Sequence, residues 1–547
     1  MKKILTLSAC ILSVCTAQLK AQQTAKYSWS NLPKAAVPVF KTDTFNIVKY
    51  GAVADGITLN TKSINAAITA CSAQGGGVVL IPQGLWITGP IVLKSNVNLY
   101  VSRAALVQFT ADKSQYPLVE GNYEGHASVR NQSPVSGTDL VNVAITGGGI
   151  MDGNGTGIWR AIGKDRLTDA EWKQLVASGG VVSENGKSWY PSEAYAKGNT
   201  IKDVSLIQAG KSLSDYAEYK DFYRPNMVVL TGCKKVLLSG TTFQNSANWC
   251  LHTLMCQDVT LTDVHVRNPW NAQNGDAIDV ESCKNVLIEN STFDAGDDGL
   301  CIKSGRDEEG RKRGIPTENV LLRNNIVYRA HGGFVIGSEM SGGARNIFVT
   351  DCTFIGTDIG LRFKTVRGRG GLVEDIYIKN IAMRNIIGEA ILFDMYYMTK
   401  GGSTLGIKNI PEPTEATPQF KNFYVSNVVC DGAERAILVR GLPEMSIKNI
   451  YLENMVLKAN TGVQLIEANN ISLKNITLET KDTKPLIYVE SSTNINLSGI
   501  KYTSAEQLIS IAGERSANVT LSNTNTANSK NKPDFTSGAD AKMLTIK

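Results

Sequence analysis

Aromatic residues and blocks of like charge are both scarce in this sequence of 547 residues. Phe, Trp and Tyr together make up 7% of the chain, and the net charge of +6 is spread without a run of Lys or Arg. The lack of clustered cations argues against a nucleic-acid-binding protein. Beyond the N-terminal region no apolar segment reaches the length of a membrane-spanning helix, so we expect no membrane span.

The cysteines lack the close pair spacing of a metal-binding site. Of the ten, Cys10 and Cys15 lie in an N-terminal leader, and the others are scattered. Export would permit disulfides, but we favour small buried thiols stacked inside a repeat. The eight in question are Cys71, Cys233, Cys250, Cys256, Cys283, Cys301, Cys352 and Cys430.

The chain begins with a layout typical of a signal peptide. Two lysines precede an apolar stretch that ends at Cys15 and is too short to span a bilayer as a mature helix. We predict a signal peptide over residues 1–21 and a linker or N-terminal extension over 22–44. The protein is then exported, to the periplasm or the cell exterior. A faint likeness to a lipoprotein site around Cys10 and Cys15 leaves lipid anchoring open.

A single amphipathic helix is predicted ahead of the strand-like part of the chain. The segment Thr61 to Cys71 carries apolar residues at the i, i+3, i+4 and i+7 positions, and the glycines at 75–77 end it. These apolar residues are Ile64, Ala67, Ile68 and Cys71. In a solenoid such a helix covers the first core layer, so we interpret it as an N-terminal cap.

Most of the remaining chain repeats one motif, a polar residue followed by alternating apolar residues. The first apolar positions of successive units at Val236, Val259, Val286 and Val320 are 23, 27 and 34 residues apart. Such steps are typical of single coils of a solenoid. Stacked β-sandwich domains are the alternative, but their strands recur about every 8 to 12 residues without this self-similarity. We therefore predict an all-β fold, one right-handed parallel β-helix over residues 45–547.

Three segments interrupt the repeat. The first, about 155–225, is rich in Trp and Tyr and contains a predicted helix near Thr168 to Val176; the second is about 395–420. Long loops on a rigid scaffold carry function or are solvated excursions, and the sequence leaves both open. A shorter cation-rich insertion, Gly305 to Ile315, either contacts an anionic chain or only decorates a loop.

Four groups of polar residues follow short apolar runs in the middle of the chain. Each group alone is typical of a turn or a solvated edge. In coils of about 20 to 30 residues, however, all four would face one groove. The groups are Asn274-Gly275-Asp276-Ala277-Ile278-Asp279, Gly296-Asp297-Asp298-Gly299, Ala330-His331-Gly332-Gly333 and Leu361-Arg362-Phe363-Lys364.

Acids, a histidine and two cations in one groove are suited to hydrolysis of an anionic sugar. Glycoside hydrolysis needs a carboxylic acid to protonate the leaving oxygen and a carboxylate to act on water or on the anomeric carbon. Crowding of like charges raises the pKa of at least one carboxyl group. Asp297 and Asp298 are adjacent on an extended backbone, so they diverge and can take different roles. An arginine fork with a lysine suits a substrate carboxylate.

This set of motifs resembles the polygalacturonases of glycoside hydrolase family 28. The motifs of that family read Asn-x-Asp, Gly/Gln-Asp-Asp, Gly-His-Gly and Arg-x-Lys in the same order. The likeness covers roughly residues 45–460 and includes Tyr50-Gly51-Ala52 near the start. Two family glycines are replaced, by Ala277 and Ala330, and we expect the backbone to tolerate both changes.

The resemblance implies an inverting hydrolase of α-1,4-galacturonosyl linkages in polygalacturonate or pectin, with no metal and no other cofactor. It implies Asp297 as the general acid, with acid and base about 6.5 to 9.5 Å apart. The other residues that it assigns are Asp276 and Asp298 for the attacking water, His331 to tune the acid, Arg362 and Lys364 for a galacturonate carboxylate, and Asn274, Asp279 and Tyr397 (or neighbouring Tyr396) for substrate binding.

Several alternatives stay open at this point. Insertions that wall off one end of the groove favour exo action on a chain end. The same scaffold also serves rhamnogalacturonan or another decorated pectic linkage, and a pectate lyase would share the β-helix but need calcium. A non-catalytic carbohydrate-binding or adhesion protein would have no reason to cluster these residues. We expect a monomer whose partner is a pectic polysaccharide or oligogalacturonide.

Overall fold

The computed structural model describes residues 27–157, 159–399 and 402–547. The predicted signal peptide, residues 1–21, lies outside the described residues. Residues 27–32 belong to a unit of their own, in which Ser28 and Asn31 form a bridge. Pro33–Lys547 is one compact unit. Part of the predicted linker therefore belongs to the same unit as the strands. Among the described residues, no helix has the length and apolar character needed to cross a membrane.

Two long sheets run through the described part of the chain, one of 24 strands and one of 14. Within both sheets, neighbouring strands from different coils run parallel, as where Ile278 pairs with Leu300. The fold is the right-handed parallel β-helix that the repeat predicts. We call the 14-stranded sheet the site sheet, because it positions the residues described below.

The strands of the site sheet are Ile91–Val92, Val135–Thr138, Val228–Thr231, Leu251–Leu254, Ile278–Glu281, Asp298–Lys303, Gly332–Ile336, Ile359–Lys364, Glu389–Asp394, Arg435–Arg440, Thr461–Ile466, Ile487–Glu490, Ile509–Ala512 and Asp534–Thr536. Those of the larger sheet are Thr44–Asn46, Asp55–Leu59, Gly77–Ile81, Gly84–Thr88, Val97–Val101, Ala105–Phe109, Val141–Thr146, Ile150–Asp152, Lys234–Ser239, Thr242–Gln244, Gln257–Thr262, His265–Arg267, Lys284–Glu289, Thr292–Asp294, Thr317–Arg323, Ile326–Tyr328, Ala344–Ile355, Leu372–Arg384, Gln419–Asp431, Ile447–Ala459, Ala468–Thr480, Thr493–Ser498, Ala517–Ser522 and Leu544–Ile546.

Asparagines form a bend near the start of several strands of the larger sheet. Asn285, Asn319 and Asn346 adopt φ angles of 58°, 60° and 54°, a left-handed conformation that asparagine tolerates better than most residues. The side-chain amide of Asn319 donates to Oδ1 of Asn285 over 3.1 Å, and that of Asn346 donates to Asn319 over 3.3 Å. Each coil is thus fixed to the previous one by side-chain hydrogen bonds as well as by the backbone pairing, which gives the site a rigid base.

The predicted N-terminal helix is present as Thr61–Ala73, and it buries the four residues of the predicted stripe. It contacts Thr44–Asn46 and Gly77–Ile81 of the first coils. Its interpretation as an end cap stays a prediction. The eight cysteines of the described chain are buried free thiols, and all except Cys301 lie in the hydrophobic core, in agreement with the interpretation as small buried thiols.

The insertions fold into small elements of their own. The predicted helix of the first insertion is Asp169–Ala177, with Thr168 as its N-cap, and a second helix, Glu193–Thr200, follows. A hairpin of Leu118–Tyr123 and His126–Asn131 lies ahead of that insertion in the chain. The cation-rich insertion forms the helix Asp307–Arg313.

Arginines of the cation-rich insertion pair with acids of neighbouring segments. Arg313 binds Glu281 at 2.7 Å, and Arg306 binds Glu124 of the hairpin turn at 2.8 Å. Charge that is already compensated in this way attracts an anionic chain less strongly. The contacts therefore favour a structural role for Gly305 to Ile315.

Candidate active site

The strand register brings Asp276 beside the pair Asp297 and Asp298. Ile278 pairs with Leu300 in the next strand of the site sheet. Asp276 and Asp298 each precede these partners by two residues, so they lie side by side. One carboxylate oxygen from each of the three aspartates lies within 4.8 Å of the other two. The predicted convergence of the three acids is therefore observed.

The closest oxygens of these acids are nearer to each other than the separation predicted for the carboxyl groups of acid and base. Inverting glycosidases usually hold acid and base about 6.5 to 9.5 Å apart, and retaining enzymes about 5 to 5.5 Å. The closest carboxylate oxygens here fall below both ranges. The rule refers to the separation of whole carboxyl groups, so the predicted distance between acid and base stays a prediction.

Asp298 is a buried carboxylate held by two cations. Nζ of Lys364 donates to its Oδ2 over 2.7 Å, and Nη1 of Arg362 donates to its Oδ1 over 3.2 Å. Burial by itself raises the pKa of Asp298, but the charges of Lys364 and Arg362 outweigh burial and bring the pKa below its usual value. Asp298 is consequently ionised at neutral pH.

Asp276 has the opposite electrostatic environment. Its side chain is buried, and its Oδ1 has no hydrogen-bond partner among the described residues. Burial, followed by the charges of Asp279 and Asp297, raises the pKa of Asp276 well above its usual value. Two neighbouring acids, Asp276 and Asp298, therefore favour different protonation states, which is the arrangement that acid–base chemistry requires.

Asp297 lies at the surface of the site and contacts His331. Its side chain is 20% exposed, and its Oδ1 is 3.1 Å from Nδ1 of the histidine. The hydrogen bond to Asp297 is the main reason that the pKa of His331 is raised. Nε2 of the ring is 3.7 Å from Asp358 of the next coil. The predicted divergence of the adjacent acids is observed, since Asp297 faces out while Asp298 is buried.

Arg362 and Lys364 lie on the same face of their strand, as the alternation predicts, because Leu361 and Phe363 point into the core. Both cations are already bound to Asp298, and the side chain of Lys364 is only 5% exposed. Arg362 also donates to the backbone oxygen of His331 over 3.1 Å. Its Nε has no hydrogen-bond partner among the described residues, so Arg362 keeps one unused donor.

Asp279 differs most from its predicted role in substrate binding. It is completely buried, and its Oδ1 is 3.6 Å from Nζ of Lys303. Lys303 binds Glu339 at 2.9 Å and lies 4.8 Å from the ring centroid of Trp249. A side chain without exposed surface does not contact a substrate, so Asp279 belongs to a charged layer beneath the acids.

Tyr397 is the tyrosine that lies beside the cationic pair. Nζ of Lys364 is 4.9 Å from its ring centroid, and the guanidinium of Arg362 is 5.8 Å away. Tyr396 instead contacts Arg367 at 5.5 Å. The geometry thus favours Tyr397 over Tyr396, an alternative that the sequence left open. Asn274 is half-buried at the edge of the site, and its Oδ1 accepts a hydrogen bond from Arg224 over 2.8 Å.

The three aspartate oxygens are also close enough to share a metal ion. Metal binding needs ionised ligands, whereas the pKa of Asp276 is raised and Asp298 is already compensated by Lys364 and Arg362. This donor set fits a divalent cation poorly. Independence of metals stays a prediction.

Sequence reasoning missed Lys303 and Glu339, which form the charged layer with Asp279. Lys303 was detectable, since Leu300 and Ile302 alternate inward and leave Cys301 and Lys303 on the outer face. Glu339 had no such signal, because it follows its strand in an irregular segment. Its position is set by contacts with Lys303 and Arg369, which only the folded chain reveals.

Two cavities lie near the acids. One, of about 520 Å³, lies against Asp297 and His331 and is bounded by Trp270 and the start of the first insertion. The other, of about 530 Å³, lies between the hairpin Leu118–Asn131 and the N-terminal strands of the site sheet. His252 lines this second cavity and pairs in register with Asp279 of the next strand. The acids therefore have space for a ligand nearby.

Comparison with known proteins gives the following matches. A family model described as glycosyl hydrolases family 28 matches residues 164–412, and a model described as rhamnogalacturonase A/epimerase, pectate lyase-like, matches residues 44–202. The exo-poly-alpha-D-galacturonosidase of Dickeya chrysanthemi is 28% identical over 447 residues, which cover 79% of this chain and 70% of that protein.

Solved structures give similar matches. The crystal structure of a hyperthermoactive exopolygalacturonase from Thermotoga maritima has a TM-score of 0.65 and 29% identity, and the match covers 82% of this chain and 94% of that one. A family 28 exopolygalacturonase of Yersinia enterocolitica has a TM-score of 0.64 and 23% identity, covering 85% and 79% of the two chains. The second likeness bears on the fold alone.

Proposed function

Because the chain belongs to glycosyl hydrolase family 28, we propose that it is an exported enzyme that hydrolyses α-1,4-galacturonosyl linkages of polygalacturonate and pectin. The observation that carries the proposal is the meeting of three carboxylates with His331 and the cations of Arg362 and Lys364 on one sheet face. The names of the similar enzymes support galacturonan as the substrate class. Export rests on the signal-peptide layout of residues 1–21.

In this proposal Asp297 is the general acid. Its partly exposed carboxyl group faces the cavity and is the acid of the three that a glycosidic oxygen can approach most easily. His331 positions this carboxyl group through the 3.1 Å contact and, with its raised pKa, supplies positive charge beside it. The proton passes from Asp297 to the leaving oxygen as the bond to the anomeric carbon breaks.

Asp276 and Asp298 direct the attacking water. Asp298 is ionised and accepts a proton from that water, while Asp276 lies beside it and orients the water. Direct attack by water in a single displacement inverts the anomeric centre. The short distance between the oxygens is compatible with this role, because two neighbouring carboxyl groups can contact the same water.

Arg362 and Tyr397 recognise the substrate carboxylate. The side chain of Arg362 is 17% exposed, and its guanidinium lies against the ring of Tyr397. A carboxylate bound there gains a charge-assisted hydrogen bond. Lys364 adds positive potential from below, although its own hydrogen bond goes to Asp298.

The proposal includes exo action. The hairpin Leu118–Asn131 overlies the N-terminal strands of the site sheet, and Glu124 and His126 at its tip contact Arg306 at 2.8 Å and Glu309 at 3.1 Å. A groove closed by this contact admits a chain end and blocks a continuous polymer. We therefore expect release of small sugars from the terminus.

Product analysis tests the proposal. The purified protein is incubated with polygalacturonate in EDTA, and the products are separated over time by anion-exchange chromatography. We expect galacturonate or a short oligomer of one length from the first time point, without absorbance of unsaturated sugars near 235 nm. A ladder of oligomers contradicts exo action, and unsaturated products or a need for calcium indicate a lyase. An absence of any product contradicts the proposed function.

A second candidate is hydrolysis of rhamnogalacturonan. It is favoured by the match of residues 44–202 to the rhamnogalacturonase A/epimerase model. The same incubation with rhamnogalacturonan separates the two candidates, since the leading proposal predicts much faster release from polygalacturonate.

A further inference from the structure

The mechanism above uses only the side of this cavity that Asp297 and His331 form. Its volume is about 520 Å³, within the range of about 300 to 1,000 Å³ that is usual for ligand sites. The walls come from the start of the first insertion and from the loop between two coils that carries Trp270. We call it the Trp270 cavity.

Trp270 presents an open aromatic surface to this cavity. The residue is 52% exposed, and the guanidinium of Arg166 lies 5.4 Å from its ring centroid. An exposed indole beside a catalytic acid is an unusual use of a large apolar side chain. The C–H groups on one face of a sugar ring pack well on such a surface, and the ring is wide enough to carry one sugar unit.

Arg160 supplies a buried cation in the same cavity. Its side chain is only 5% exposed, and it donates hydrogen bonds to the backbone oxygens of Gln273, over 3.3 Å, and Ser246. Among the described residues no carboxylate forms an ion pair with it, and its Nε has no hydrogen-bond partner. Burial, together with the charge of Arg224, lowers the pKa of Arg160 to about 9, so it is still a cation at neutral pH.

A buried cation without a counter-ion is costly for the fold, and an anionic ligand would offset that cost. The other charged groups of the cavity do not neutralise the charge of Arg160. Asp165 is 82% exposed and lies 3.9 Å from Nε of Arg166, so water screens it. Asp297 is engaged with His331. The cavity thus combines a sugar-sized aromatic surface with a buried guanidinium group that forms no ion pair with a carboxylate among the described residues.

We propose that the Trp270 cavity is a subsite for an additional uronate unit of the substrate, whose ring packs on Trp270 while its carboxylate faces Arg160 and Arg166. The inference rests on the proposed function, because it takes a galacturonate chain as the substrate. It adds a specificity determinant outside the motifs of the central stretch, supplied by the first insertion and the loop 269–273.

Binding to an inactive background tests the subsite. In the Asp297→Asn protein, calorimetric titration with tetragalacturonate and with its carboxyl-reduced counterpart gives affinities without turnover. Trp270→Ala and Arg166→Gln are each expected to weaken binding of tetragalacturonate by about tenfold or more. Arg166→Gln is expected to have little effect on the uncharged oligomer, because the lost interaction is with a carboxylate.

Trp172→Ala is the matched control. Like Trp270, Trp172 has a cation over its ring, in this case Nζ of Lys164 at 5.9 Å. It belongs to the first insertion but does not line the Trp270 cavity. Its substitution is expected to leave the affinity unchanged. Thermal unfolding verifies that each variant is folded, and Trp270→Phe is expected to recover most of the affinity.

The outcomes separate the two claims. Tetragalacturonate that binds the background and both cavity variants equally well overturns the subsite and leaves the proposed function standing. Equal weakening by Trp172→Ala also overturns it, since the effect is then one of the insertion as a whole. A background that binds no oligogalacturonide contradicts the proposed function and the subsite together.

Discussion

Two clusters of acids on the site sheet differ in how their oxygens are used. The first is the triad Asp276, Asp297 and Asp298 in the central coils. The second lies nearer the C-terminus, where Glu490 pairs in register with Ile466 and Glu467 is the next residue along that strand. Both clusters sit on the outer face of the same scaffold. Acid content and burial therefore do not distinguish them.

Hydrogen-bond partners do distinguish the two clusters. Glu490 accepts hydrogen bonds from Ser403 at 2.9 Å, Tyr488 at 2.7 Å and the backbone N–H of Thr404 at 2.5 Å. Glu467 is bound by Thr404 and by Arg515. In the triad, by contrast, Asp276 keeps an oxygen without a partner, and a cavity opens against Asp297. The second cluster fastens a loop, whereas the triad has unused bonding capacity for a reaction.

Removal of the proposed acid should have the largest effect. Asp297→Asn keeps the shape of the side chain but has no proton to donate at this step, so we expect kcat to fall by about 100- to 10,000-fold. Steady-state assay on polygalacturonate measures the loss, and calorimetry verifies an unchanged unfolding temperature. A variant that keeps near-normal turnover would refute the assignment of Asp297.

Removal of one of the two cations that bind Asp298 should have the second-largest effect. Lys364→Met leaves this buried carboxylate with only Arg362, and the removal of one partner of a buried ion pair costs about 3 to 5 kcal/mol in free energy of unfolding. The exposed pair Lys284 and Glu318, at 2.9 Å, gives the control Lys284→Met, for which we expect about 0 to 1 kcal/mol. Equal losses in the two variants would contradict the account.

The effect of Lys364→Met should depend on pH. The folded-state pKa of Asp298 is lowered, so its contribution to stability is complete above the ordinary aspartate value of about 4 and disappears as pH falls through the folded pKa. The stability gap between wild type and variant should therefore be widest near neutral pH and narrow in acid. Denaturant unfolding at a series of pH values measures this difference in free energy of unfolding. A difference that grows as the pH falls would contradict the prediction.

A change in the second cluster should affect stability but not catalysis. Glu490→Gln replaces an acceptor of three hydrogen bonds, which we expect to cost about 1 to 3 kcal/mol in free energy of unfolding. We expect kcat to stay within about twofold of the wild-type value, because the contact between Glu490 and the loop takes no part in the proposed proton transfers. Denaturant unfolding and steady-state assay measure the two quantities. A kcat loss comparable to that of Asp297→Asn would abolish the distinction between the clusters.

The two neighbouring tyrosines should give the smallest contrast. Tyr397→Ala removes a ring that lies against Arg362 and Lys364 and should raise KM a few-fold, the effect of a contact worth about 0.5 to 1 kcal/mol. Tyr396→Ala removes a ring beside Arg367 and should leave KM unchanged. Initial rates over a range of oligogalacturonide concentrations compare the two variants, and the reverse order would favour Tyr396 as the substrate contact.

The scaffold was predictable from the sequence because its signals are local and repeated. A step such as the one from Val259 to Val286 fixes which residues stack, and the stacking places Asp276 beside Asp298. The alternation of apolar and charged residues from Leu361 to Lys364 likewise predicted correctly that Arg362 and Lys364 lie on the same face of their strand. One repeated pattern therefore determines both the coil and the position of its polar residues.

What the sequence could not reveal depends on long-range contacts. Asp279 was expected at the substrate, but Lys303 and Glu339 show that it belongs to a buried charged layer. The ion pair between Lys364 and Asp298 could not be predicted either, because the Arg-x-Lys motif does not show which carboxylate its lysine binds.

The configuration of the freshly released sugar tests the proposed roles of the triad most directly. Proton NMR during the first minutes of hydrolysis of an oligogalacturonide resolves the anomers before they equilibrate. Attack by a water held between Asp276 and Asp298 predicts that the new reducing end appears first as the β-anomer. Initial appearance of the α-anomer would mean a covalent intermediate on one of these carboxylates and would contradict the account.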